Sequence, residues 1–188
     1  ADFDTLLFDL RYFGESEGSY TTLGIRERMD LRSALDFLEA KGYEKIGVLG
    51  FSLGGATTLL TAADDNRIDA IVSYAAFSDL KTLGEETYSH LWIFKKPLVH
   101  LMLFYACVLF GESPTTVSPL HAAARIQVPV FLIHAKQDEQ ISVLHGERLK
   151  EVLMSNSRSK FYFPDKGLHS QIPDDFNNRV LSFFLTHL

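Results

Sequence analysis

Residues 46–55 read IGVLGFSLGG, and the fold turns on how Ser52 is reached. The apolar run from Ile46 to Leu49 reads as a buried strand that ends at Gly50, and Ala56 to Ala63 reads as helix. Between them, Gly50-Phe51-Ser52-Leu53-Gly54 is a G-x-S-x-G pattern, in which a sharp strand-to-helix turn lifts a serine hydroxyl into the open. Small residues are needed on either side of such a serine, because side chains there collide with the neighbouring strand and helix. The turn also puts Ser52 at a helix N-terminus, where free N–H groups and the dipole favour developing negative charge. The Leu53 N–H is therefore the expected oxyanion donor.

Away from this turn, short apolar runs alternate with helical patterns, which predicts strand-helix units and a mostly parallel sheet in the α/β class. Strands are expected at 5–10 (TLLFDL), 45–50 (KIGVLG), 70–75 (AIVSYA), 128–135 (VPVFLIHA) and 160–163 (KFYF). Helices are expected over 24–41, stopped by Gly42, and over 56–63, 142–154 and 174–187. A serine nucleophile needs a base, and the base needs a partner that holds its tautomer. Asp138 follows the strand at 128–135, at the carboxyl edge where α/β sheets place their sites, and His169 follows the last strand in the loop KGLHS. Glu139 and Asp79 are alternatives for the acid; His134, His145 and His121 are alternatives for the base.

The chain order Ser52, Asp138, His169 and the segments FDLRYFGESEG, GFSLGG, VPVFLIHAKQDEQIS and KGLHS resemble the successive signatures of the α/β-hydrolase superfamily, over nearly the whole chain. The resemblance implies a parallel sheet with helices on both faces. It also implies Ser52 as nucleophile, His169 as general base and then acid, and Asp138 as the orienting carboxylate. The implied reaction is hydrolysis of small, fairly apolar carboxylic esters through an acyl-enzyme, with thioesterase or peptidase variants of the same chemistry. A non-catalytic binding protein is the alternative. Two departures stand out. Tyr12 occupies a position that is usually glycine in D-x-R-G-x-G-x-S, and the strand and His-Gly-type loop that precede this segment in relatives have no counterpart after residue 1. That strand lies between the ones matching 5–10 and 45–50, so a gap in the sheet is expected. It can be closed by further residues of a longer protein, by direct pairing of the two strands, or by another copy.

One domain is expected for 188 residues with 15 Phe, with a helical cap insertion over 78–120 whose Leu91 to Phe94 and Leu98 to Phe110 would form an acyl pocket or lid. The apolar stretch 91–110 is interrupted by Lys95, Lys96, Pro97 and His100, which predicts a buried or lid helix in place of an integral membrane span. A net charge of -6 argues against phosphate-backbone partners and hence nucleic acid, leaving a small-molecule ester as partner and a homo-oligomer as an option. The lone Cys107 has no internal disulfide partner. No cofactor and no metal site is expected, since triad chemistry uses protein groups and water. No charged-then-apolar leader opens the chain, and a cytoplasmic protein is the expectation.

Overall fold

A computed structural model describes residues 3–114 and 117–188. Four parallel strands form one sheet: β1 (Gly47–Phe51), β2 (Ala70–Tyr74), β3 (Val130–Ile133) and β4 (Lys160–Tyr162), hydrogen-bonded in that order. Registers such as Leu49 opposite Val72 and Ser73 opposite Leu132 keep the strand ends level, so the loops that follow them meet at one edge. The expected strands at 45–50, 70–75, 128–135 and 160–163 are thus all present in shorter form. The helices are α1 (Glu27–Ala40), α2 (Leu53–Ala62), α3 (Leu80–Thr87), α4 (Lys95–Phe110), α5 (Pro119–Ala123), α6 (Val143–Leu153) and α7 (Phe176–His187). A 3-10 segment, Ser89–Phe94, leads into α4.

Alternation of side chains along the strands builds two cores, as the pleat requires. Ile71, Val130 and Leu132 point to one face and pack with Leu35 of α1, Leu59 of α2 and Leu149 of α6. Ala70, Val72, Tyr74, Phe131 and Ile133 point to the other, where α7 covers them with Phe176, Val180 and Phe183. At the β1 edge α7 comes so close that a Cβ on Gly47 would lie 2.6 Å from the Phe184 ring. Helices on both faces of a parallel sheet are therefore the observed architecture.

The segment expected as a first strand departs from the reading. Residues 5–10 have no regular secondary structure and do not pair with β1, so direct pairing of the two segments is ruled out. A strand exists only through a neighbour's hydrogen bonds, and among the described residues β1 has a partner on the β2 side alone. The segment is held instead by side chains. Arg11 binds Asp30 of α1 through both Nε and Nη2, with its backbone N–H also donating to Asp30 at 3.0 Å, and Asp9 accepts the Glu15 N–H at 3.1 Å. Between this segment and β1 lies a cleft of about 520 Å³ lined by Phe8, Leu10 and Phe13 on one side and Val48 to Leu53 on the other.

The stretch 91–110 also differs from the reading as a buried helix. Of α4 only Val99 is buried. Together with the 3-10 segment it forms the one stretch among the described residues, Ser89–Phe110, that is long and apolar enough to cross a membrane.

Candidate active site

Ser52 links β1 to α2 with φ 53° and ψ -115°, a backbone conformation that L-residues rarely adopt. Two glycines make the turn possible. A Cβ on Gly50 would lie 2.3 Å from the Gly54 carbonyl oxygen, and one on Gly55 would lie 3.0 Å from Ser73 Oγ. Gly54 differs from expectation: a Cβ there meets nothing within 4 Å, because Gly54 borders the open cleft. The Ser52 N–H donates to the Tyr74 carbonyl at 2.8 Å, tying the turn to the end of β2.

The loops after β3 and β4 bring the other two residues to the serine. His169 Nε2 lies 3.0 Å from Ser52 Oγ, and His169 Nδ1 lies 2.8 Å from Asp138 Oδ2. The second oxygen of Asp138 accepts the N–H groups of Gln140 at 3.0 Å and Ile141 at 2.9 Å, so the carboxylate is oriented from its own loop. Asp138 and His169 are both buried, which shields their contact from water.

Of the alternatives weighed from sequence, all but His121 have other work. Asp79 caps α3, accepting the Thr82 N–H at 2.7 Å and the Ser78 hydroxyl at 3.0 Å; burial alone would raise its pKa, but these bonds hold it below the usual carboxylate value. Glu139 accepts the His169 backbone N–H at 2.9 Å, which lowers its pKa and anchors the histidine loop without touching the ring. His134 is buried with Nε2 2.8 Å from the Ile141 carbonyl, and burial lowers its pKa, so it donates there as a neutral ring. His145 is buried beneath α3, with its Nδ1 accepting the Ser78 N–H at 3.0 Å. His121 is an exposed residue of α5. Among the described residues no group of three or more His, Cys, Asp or Glu is arranged to hold a metal ion.

Aromatic packing around His169 has no motif in the sequence. The Phe51 ring sits 5.0 Å from the His169 ring and 5.3 Å from Tyr74, while the Tyr74 hydroxyl donates to the Gln171 carbonyl at 2.5 Å. These contacts fix the loop that carries the histidine. The only available signal was position: Phe51 is the x of the G-x-S-x-G, and Tyr74 ends the neighbouring strand.

Among the described residues the Leu53 N–H, first in α2, has no acceptor and stands beside Ser52. The loop at Tyr12 and Phe13 offers no second donor. The Tyr12 N–H donates to the Glu17 carbonyl at 3.1 Å and the Phe13 N–H to the Leu10 carbonyl at 3.0 Å. Tyr12 itself takes φ 74°, the left-handed conformation that a glycine would hold without strain.

The family model described as alpha/beta hydrolase fold matches residues 1–97. An uncharacterised 31.7 kDa protein from the traX-finO intergenic region of Escherichia coli is 39% identical over 235 positions, covering 100% of this chain and 82% of its own length. The uncharacterised protein YqkD of Bacillus subtilis is 28% identical, with 89% of this chain aligned to 56% of that protein. Among solved structures, the Pyrococcus furiosus esterase Pf2001 superposes with a TM-score of 0.73 at 22% identity, over 95% of this chain and 69% of that one. The acylaminoacyl peptidase of Pyrococcus horikoshii superposes with a TM-score of 0.65 at 23% identity, over 88% of this chain and 28% of that one.

Proposed function

Because the chain belongs to the α/β-hydrolase fold family, we propose that it is a serine hydrolase of small, fairly apolar carboxylic esters, with Ser52 as nucleophile, His169 as base and Asp138 as its orienting partner. The observation that carries this reading is the relay of 2.8 Å and 3.0 Å from Asp138 through His169 to Ser52 Oγ. In this reading His169 Nε2 takes the Ser52 proton as Oγ attacks the ester carbonyl carbon. Asp138 stabilises the resulting imidazolium at Nδ1. Collapse of the tetrahedral intermediate expels the alcohol, protonated from Nε2, and leaves the acyl group on Ser52; water activated by the same nitrogen then releases the acid. The Leu53 N–H faces the developing oxyanion, and the cleft beside Ser52, walled by Phe8, Leu10, Phe13 and Leu49, supports an apolar substrate.

A second reading, a binding protein or a chain that needs a further segment to act, is favoured by one observation. The Tyr12 and Phe13 N–H groups are already spent, and one missing oxyanion donor costs about 10² to 10³ in rate. The experiment that separates the two is treatment with a fluorophosphonate, read by intact mass, with Ser52→Ala as control. A single adduct lost in Ser52→Ala is the expected result, and paired ester, thioester and amide substrates then sort the leaving group, the peptidase neighbour being the reason for the amide arm. No adduct from a folded sample overturns the hydrolase reading.

A further inference from the structure

The α4 face is the largest feature that the hydrolase reading leaves unused. Its inward residues Val99, Leu103 and Ala106 line a cavity of about 260 Å³ against Leu80, Leu83 and Gly84 of α3. The opposite side, which in a surface helix is normally polar, carries Leu101, Phe104, Tyr105, Val108 and Leu109, each more than half exposed. At the helix N-terminus the kink at Trp92, with φ 48° and ψ -110°, turns that residue outward to 81% exposure beside Ile93 and Phe94. Charge on this segment runs against the rest of the molecule. The chain has a net charge of -6, yet no Asp or Glu occurs between Glu86 and Glu112, a stretch that holds Lys95, Lys96, His90 and His100. Among the described residues neither lysine has an ion-pair partner.

We propose that the Trp92–Leu109 face is a docking surface for an anionic lipid membrane, with α4 lying in the plane of the interface. Apolar side chains on one side of a helix, an aromatic residue at its end and unpaired lysines next to it are the three elements that interfacial binding uses. An anionic surface supplies the carboxylate or phosphate charge that the lysines lack. A second copy of this acidic chain offers none at the matching position, because the face itself contains no acid. Spanning is disfavoured by the fold: Val99 packs against Gly84, where an added Cβ would sit 3.1 Å away, and the Phe110 carbonyl accepts from Arg26 at 3.2 Å. The docking does not depend on the hydrolase reading.

Trp92 is the one tryptophan of the chain, so its emission reports the face directly. The test titrates the full chain with phosphatidylcholine vesicles, with and without phosphatidylserine, and adds flotation of the bound fraction. The expected result is a blue shift with the phosphatidylserine vesicles, reversed in about 0.5 M salt, where surface charge is screened within a few ångströms. Lys95→Glu with Lys96→Glu keeps the reporter and should weaken binding roughly 25-fold, at about 5-fold for each lysine near an anionic surface, or more because the charge is reversed. Leu101→Glu with Phe104→Glu should abolish the shift while the circular dichroism is unchanged. Any of four outcomes overturns the proposal: no shift with either vesicle, equal affinity for both, retention after alkaline carbonate extraction, or a dimer in sedimentation equilibrium that Phe104→Glu dissociates.

Discussion

Ser52 holds two demands at one position: a side chain that reaches His169 and a backbone at φ 53°, ψ -115° that suits glycine. Such a conformation costs a non-glycine residue about 1 to 3 kcal/mol. Serine to alanine removes the hydroxyl but keeps the strain, whereas serine to glycine removes both. Ser52→Gly is therefore expected to be more stable than Ser52→Ala by about 1 kcal/mol, the reverse of the usual order of the two residues near a helix. Urea unfolding of the pair checks it, and equal midpoints would mean that the turn relaxes once the hydroxyl is gone. That Ser52, Asp138 and His169 would come together was legible because each follows a strand that the apolar pattern reveals, in an order that few folds share. The Phe51, Tyr74 and Glu139 contacts that steady His169 were not, since they depend on which loops meet across the sheet edge. Gly54 was misread for a related reason: the collision expected there needs a neighbour, and at that spot the described chain has open space.

At the level of elements, α6 is fastened to the loop before α3 by a buried histidine. His145 Nδ1 accepts the Ser78 N–H, the Ser78 hydroxyl lies 2.8 Å from the same nitrogen, and Glu86 Oε2 approaches Nε2 to 3.1 Å without hydrogen-bond geometry. Burial lowers the His145 pKa, with Arg148 and His134 acting in the same direction and Glu86 and Asp79 opposing. His134 is lowered by burial as well. A histidine whose folded pKa lies below its unfolded value near 6.5 stabilises the protein fully above that value; the contribution is lost as pH falls from there through the folded pKa. Thermal unfolding between about pH 7 and pH 5 should show Tm falling with pH, and His145→Gln, which still accepts the Ser78 N–H, should flatten part of that slope. A slope unchanged in His145→Gln would assign the acid sensitivity elsewhere. Sequence made α6 legible through its spacing but not this fastening. Four strands were legible because each reads as a short apolar run, although only β2 and β3 are buried along their whole length, and residues 5–10 read the same way. What separates them is pairing, which no local pattern encodes.

On the scale of the whole molecule, hydropathy could not tell a buried helix from a docking helix, since both are apolar; what distinguishes them is that α4 packs against the core only through residues such as Leu103 and Phe110 and leaves its opposite face exposed. The gap in the sheet, which the family resemblance implied, takes another form: residues 5–10 make no strand, the sheet ends at β1, and a cleft separates β1 from residues 8–13. An edge strand with free backbone groups and apolar neighbours is a template for pairing with another chain. Here the edge carries Leu49 at 46% and Phe51 at 40% exposure, lining the same cleft as Phe8 and Phe13. The 188-residue chain is accordingly expected to self-associate with rising concentration through β1. Leu49→Lys places a charge on that edge and should weaken the association roughly tenfold, about 1.4 kcal/mol, while Phe104→Glu on the separate α4 face should leave it unchanged. Sedimentation velocity across a concentration series distinguishes the two surfaces. A monomer at every concentration would mean that the segment at 5–10 already shields the β1 edge, despite making no backbone pair with it.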